Sequence, residues 1–227
     1  MLFRSLPTAL QSCTSLSSLR IKECPNLILI PELRKLHSLT VLQIRDCPNL
    51  KSILDLGELH SLTDLSILRC QTLKLTCLPE GLKCVTRLKY LTIGGFCEEL
   101  DAFPSLSSIQ HLHTSLESLH LYGWAKLNSL PDEIQHFTSL KYLYINIFDG
   151  LEALPEWLCD FSSLQRLELW SCKNLMYLPT SQAMQRLTKL QLLVISDCRK
   201  LKERCAEGSG AEWSKIAHIP DVYVSPS

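Results

Sequence analysis

A chain of 227 residues with 23 Lys+Arg against 23 Asp+Glu has a formal net charge of zero, which excludes the cation surplus of a general polyanion binder. Hydrophobic residues reach 46%, yet no continuous apolar run of the ~18 residues a membrane span needs occurs. Leucine alone occurs 47 times while aromatic residues make up 7%, a bias that directs the reading to internal repeats.

The opening stretch, Met1-Leu2-Phe3-Arg4-Ser5-Leu6-Pro7, lacks a charged region followed by an apolar core and does not read as a signal peptide. Leu6-Pro7-x-x-Leu10-x-x-Cys13-x-x-Leu16 matches the second half of a repeat without its strand. Residues 1–15 are therefore expected to be the partial convex half of a truncated repeat, and the chain the C-terminal part of a longer protein. From Leu16 a single pattern recurs. Its clearest copies are Leu16-x-x-Leu19-x-Ile21-x-x-Cys24-x-x-Leu27, Leu39-x-x-Leu42-x-Ile44-x-x-Cys47-x-x-Leu50 and Leu164-x-x-Leu167-x-Leu169-x-x-Cys172-x-x-Leu175. Further copies begin at Leu62, Leu88, Leu116, Leu140 and Leu190, with starts 23 to 28 residues apart.

Alternation around the second leucine predicts a short strand in each copy, with Leu19 and Ile21 inward and Arg20 and Lys22 outward. Cys-Pro-Asn-Leu then turns the chain away, and the thiol is expected beneath the turn, bonded to otherwise unpaired backbone groups. Phe96, Trp124 and Phe148 stand at that position in three middle copies, which predicts different packing there. The return segment Leu130-Pro131-x-x-Ile134-x-x-Phe137-x-x-Leu140, repeated from Leu154, suits short 3₁₀ or helical turns with proline at the first position. His37, His60 and His136 fall in such segments and read as solvated loop residues. His111 and His113 lie two apart, so on a strand they would face one way, but with no third ligand evident they do not predict a metal site.

Of eleven cysteines, Cys24, Cys47, Cys70, Cys172 and Cys198 share one repeat position, the other six follow no pairing pattern, and no CxxC occurs. They read as buried free thiols in a reducing compartment. The tail, 202–227, leaves the repeat, passes through Gly208-Ser209-Gly210 as a linker, and closes the last repeat with Trp213, Ile216, Ile219, Val222 and Val224.

These elements add up to an α/β fold, a leucine-rich-repeat solenoid of about eight repeats spanning 16–201, with a curved parallel sheet on the concave face and short 3₁₀ or helical turns and loops on the convex face. The chain resembles the C-terminal leucine-rich region of plant intracellular immune receptors of the coiled-coil/nucleotide-binding/leucine-rich-repeat class. Three features carry the resemblance: the L-x-x-L-x-I-x-x-C-P-N-L repeat, the S-L-P-x-x-I-x-x-F-T-S-L return segment, and the tail Glu212-Trp213-Ser214-Lys215-Ile216-Ala217-His218-Ile219-Pro220. The resemblance implies a cytosolic disease-resistance role. The repeats would sense a pathogen effector, directly or through a guarded host protein, and restrain a nucleotide switch. This sequence has no G-x-x-x-x-G-K-[ST] loop, so no cofactor is assigned to it, and ADP or ATP would bind only an upstream module.

Outward strand positions form a grid expected to face a partner: Arg20, Gln43, Ser66, Thr92, His120, Tyr144, Glu168 and Val194 in one column, Lys22, Arg45, Leu68, Gly94, Tyr122, Asn146, Trp170 and Ser196 in the next. The candidate partner-binding residues are Tyr90, His120, Tyr122, Tyr142, Tyr144, Arg166 and Trp170, because aromatic residues and arginine concentrate at interface hot spots. Arg20, Lys22, Arg45 and Arg69 form a candidate basic patch, for steering an acidic partner or for autoinhibitory contact with the receptor's own nucleotide-binding module. No catalytic signature occurs, so enzymatic activity is not expected. The alternative is a leucine-rich-repeat scaffold or ubiquitin-ligase substrate adaptor without an immune role, which would need a ligase-docking module upstream.

Overall fold

The computed structural model describes residues 4–225 and divides into two compact units, one running to Leu116 and one starting at Glu117. In the first unit the strands β1 (Ser18–Lys22), β3 (Val41–Arg45), β5 (Asp64–Leu68) and β6 (Tyr90–Gly94) pair in parallel in that order. Two short strands, β2 (Leu29–Ile30) and β4 (Ser52–Ile53), pair with each other. In the second unit the order is β7 (Ser118–Tyr122), β8 (Tyr142–Asn146), β9 (Arg166–Trp170), β10 (Leu192–Ser196) and β11 (Asp221–Val224), again all parallel. Each of β1, β3 and β5 to β10 contains the predicted L-x-I or its equivalent, and the register aligns leucine with leucine: Leu143 with Leu167, and Leu167 with Leu193.

The inward leucines of neighbouring strands thus stack into continuous apolar columns. Leu42, Leu65, Leu119, Leu167 and Leu193 have no exposed surface. Burying one leucine side chain is worth roughly 1.5–3 kcal/mol, and the repeat presents several per turn of the chain. The leucines of the return segments are buried as well, Leu36 and Leu59 in the first unit and Leu164 in the second.

How the chain leaves each strand follows a backbone rule that the sequence pattern does not spell out. The residue after the strand adopts a left-handed conformation at Glu23, Asp46, Arg69 and Gly95, and again at Ile147, Ser171 and Asp197, with φ between 50° and 61°. Only Gly95 among them escapes the steric cost of that region. Its N–H continues the sheet ladder: Glu23 N donates to Arg45 O, Asp46 N to Leu68 O, and Ile147 N to Trp170 O. The repeat cysteine comes next and its thiol points back under the bend. Cys47 Sγ donates to Arg45 O, Cys172 Sγ to Trp170 O, both at 3.3 Å, and Cys198 Sγ to Ser196 O at 3.4 Å. These carbonyls are not otherwise unpaired, as the sequence reading expected. Each already accepts the ladder N–H from the preceding repeat, and the thiol adds a second bond.

All eleven cysteines are free thiols, and seven of them are buried. Burial pushes Cys159 and Cys205 up to about 12, which keeps them protonated and unreactive. In the stacked sets, hydrogen bonds from Cys70 and Cys172 pull Cys47 and Cys198 down while those two partners are themselves pushed up.

Two of the three middle repeats keep the turn and change its filling. Leu127 N donates to Trp124 O and Leu151 N to Phe148 O, as Leu50 N does to Cys47 O, whereas after Phe96 the turn slides by one residue, to Leu100 N and Cys97 O. All three rings are buried. The turn asparagines stitch successive repeats together: Asn49 Nδ2 reaches Pro25 O and Asn174 Nδ2 reaches Asp149 O, each at 2.7 Å.

The return segments form 3₁₀ helices at Thr8–Ser12, Glu80–Cys84, Asp132–His136 and Glu156–Asp160. Proline precedes each as its cap, one residue ahead of the expected first position, and accepts the first bond, as from Ile134 N to Pro131 O. His111 and His113 lie on a longer 3₁₀ helix, Ser107–Thr114, rather than on a strand, and His111 Nε2 contacts Val85 O at 2.6 Å. In the seventh repeat a short helix α1 (Ser181–Met184) takes this place, capped by Thr180 Oγ1.

The tail is more structured than its sequence suggested. Helix α2 (Arg199–Arg204) leads into a tight reversal at Gly208-Ser209-Gly210, then helix α3 (Trp213–Ile216) and β11. The glycine run is not a linker. Gly208 takes φ 71°, and a Cβ on Gly210 would collide with the backbone of Arg204 and Ala206, so the chain folds directly back on α2. Ile216 and Ile219 are buried as expected, but the centre of the tail is polar. Glu212, only 3% exposed, accepts Leu178 N at 2.8 Å and pairs with Lys215 Nζ at 2.7 Å and Arg204 Nη2 at 3.5 Å. Lys215 Nζ also donates to Leu178 O at 3.1 Å.

Candidate protein-binding surface

Because strand residues alternate, the faces of β7 to β10 that the core does not use carry their side chains in parallel rows. Register puts His120 beside Tyr144 and Tyr144 beside Glu168, with Tyr122, Asn146 and Trp170 in the next column and Ser118, Tyr142 and Arg166 in the one before. Tyr144 is the hub. Its ring centroid lies 5.3 Å from that of His120, 5.3 Å from Tyr122 and 6.2 Å from Trp170, all tilted. Asn146 Nδ2 donates to the Tyr144 hydroxyl at 3.1 Å. Burial first, with Tyr122 and Glu168 adding, pushes the Tyr144 phenol well above its ordinary value, so it stays a neutral hydroxyl.

Glu168 organises the polar side of this cluster, a role that its place in the outward column did not reveal. Its Oε1 accepts Arg166 Nε at 2.6 Å and its Oε2 accepts Trp170 Nε1 at 2.8 Å. One carboxylate thereby fixes both an indole and a guanidinium on the same strand. Beside it a partly open cavity of about 240 Å³ is lined by Ser118, His120, Tyr142, Tyr144, Arg166 and Glu168. The first unit has a larger groove, about 690 Å³, beside Thr40 and Thr63. Those two hydroxyls donate to backbone carbonyls of the neighbouring repeat.

Six of the seven candidate residues lie together in the second unit. Tyr90, 47% exposed, stands at the start of β6 in the first unit, opposite Asp64. Tyr223, 62% exposed on β11, was missed. The alternation Val222-x-Val224 was the signal for that strand.

The outward grid fails at β5, where Ser66 and Leu68 are buried. Arg45 folds its guanidinium across the neighbouring strand and donates from Nε to Ser66 Oγ at 2.8 Å. Gly94 and Ser196 are buried as well. The four basic residues also divide. Arg20 and Lys22 are exposed on β1, Arg45 is engaged with Ser66, and Arg69 sits in the post-strand turn in an ion pair with Asp46 at 2.9 Å. Among the described residues no cluster of His, Cys, Asp or Glu is arranged to hold a metal ion, and no helix is long and apolar enough to cross a membrane.

Residues 132–198 match a family model described as R13L1/DRL21 leucine-rich repeats. No match was found among curated proteins. Among solved structures, the leucine-rich-repeat domain of the type III effector XopL superposes with a TM-score of 0.69 at 22% identity, covering 98% of this chain and 73% of that one. A leucine-rich-repeat protein of Leptospira interrogans (TM-score 0.33, 21% identity, 86% of this chain and 70% of that one) and an internalin of Listeria monocytogenes (0.40, 17%, 95% and 75%) also match. The repeated strand, turn and 3₁₀ return, together with the first of these superpositions, establish that the chain has the α/β leucine-rich-repeat fold.

Proposed function

We propose that the outward face of β7 to β10 docks a protein partner, and that the chain is the sensor region of a plant intracellular disease-resistance receptor. In this reading it binds a pathogen effector or a guarded host protein in the cytosol and restrains the receptor's nucleotide switch until then. The observation that carries the docking reading is the ring cluster on Tyr144, with Tyr142 40% exposed beside it. Rigid aromatic side chains with polar tips give contact area at low entropic cost, which is why they dominate interface energetics. The receptor reading is supported by the R13L1/DRL21 match across β8 to β10 and by the Glu212-to-Pro220 tail that the resemblance rests on. Alanine at Tyr144 or Trp170 is expected to weaken partner binding by about 2 kcal/mol or more, measured by titration of the partner. Unchanged affinity in both variants would remove the docking reading.

Arg20 and Lys22 remain available for contact with the nucleotide-binding module, since Arg45 and Arg69 have partners within the chain. Reversing both charges in a receptor that carries that module is expected to cause signalling without a pathogen. A silent resting state would remove this contact.

A further inference from the structure

We infer that the cavity beside Tyr142 receives an acidic side chain, the carboxylate of an aspartate or glutamate presented by a partner protein. The inference rests on the docking reading above and adds the chemistry of what docks. Arg166 is its centre. One nitrogen, Nε, is committed to Glu168, while the two terminal amino groups make no hydrogen bond among the described residues and the side chain is 46% exposed. Glu168 is the reverse case, with both oxygens engaged and a side chain only 17% exposed. Solvent therefore meets the cation of this pair and little of the anion.

A guanidinium held by Nε keeps its terminal edge pointing one way, and that edge matches a carboxylate with two parallel hydrogen bonds. Because Glu168 has already ordered the side chain, docking an acid there loses little further rotamer freedom. The rest of the lining suits the same guest. Register sets Tyr142 beside Arg166, and the hydroxyls of Tyr142 and Ser118 are able to donate into the cavity. Glu168, the one acid in the lining, has its charge offset by Arg166 and Trp170. A cationic guest would meet Arg166 head on, and an apolar one would strip water from its amino groups without replacing it.

The test selects random heptapeptides displayed on phage against the full chain. Retained peptides should share an Asp or Glu. Changing that residue to Asn or Gln should weaken binding to the native protein about tenfold or more, and should matter little on Arg166→Gln. Peptides without an acid, or an acid whose replacement costs as much on Arg166→Gln as on the native chain, would overturn the inference. If those peptides still lose affinity for Tyr144→Ala, the docking surface stands and only its acid preference falls. Peptides indifferent to Arg166→Gln and Tyr144→Ala alike, or a selection that retains none, would overturn both.

Discussion

Replacing Glu212 with alanine is expected to cost about 3–5 kcal/mol. The carboxylate is almost without exposed surface and satisfies three groups together: the buried Leu178 N–H, Lys215 and Arg204. Removing it strands a backbone donor in the core and leaves two cations facing one another, with Lys215 only 19% exposed and Arg204 34%. Arg204 also stacks on Tyr177, 4.7 Å from its ring centroid, so the disturbance reaches the turn of the seventh repeat. Glu212→Gln, which keeps an acceptor for Leu178 but loses the charge, should cost less than alanine. Urea denaturation measures the global loss, and amide exchange should show α3 and β11 opening first. A loss below 1 kcal/mol would mean that water replaces the carboxylate and that the network does not hold the tail.

Leu167→Ala is expected to destabilise the second unit by about 2–5 kcal/mol. Leu167 has no exposed surface and lies in register between Leu143 and Leu193, so the cavity it leaves is walled by the strands on both sides. Repeats contact chiefly their neighbours, and the loss should therefore be felt first in β8 and β10. Arg166 and Glu168 flank it on the same strand with their side chains on the opposite face. The variant should consequently bind a partner normally below its lowered melting temperature. Thermal unfolding followed at Trp170 measures the shift, and a melting temperature within a degree of the native chain would contradict a column of stacked leucines as the source of stability.

What the sequence conveyed and what it withheld follow from what periodicity encodes. Alternation and spacing report which way a short side chain points, so the repeat strands and the kind of return turn were legible, with proline falling one residue ahead of its expected place. They do not report where a long polar side chain goes. Arg45 reaches across to Ser66 on β5, Glu168 gathers Arg166 and Trp170, and Glu212 closes on Leu178, 34 residues before it. Each depends on a neighbour supplied by the fold. The tail was misread for a related reason: Gly208 and Gly210 look like a flexible spacer by composition, whereas close backbone approach and a positive φ require them. The candidate surface was readable as a set of outward aromatics in the second unit, but its hub at Tyr144 emerges only from ring distances.

The docking surface is the central claim, and its rival is that these rings only brace the sheet, where a cross-strand pair contributes about 0.2–1 kcal/mol. Measuring partner affinity and melting temperature on the same Tyr144→Ala and Trp170→Ala proteins separates the two. The account predicts a large loss of affinity with little loss of stability. Lowered stability with affinity intact would contradict it.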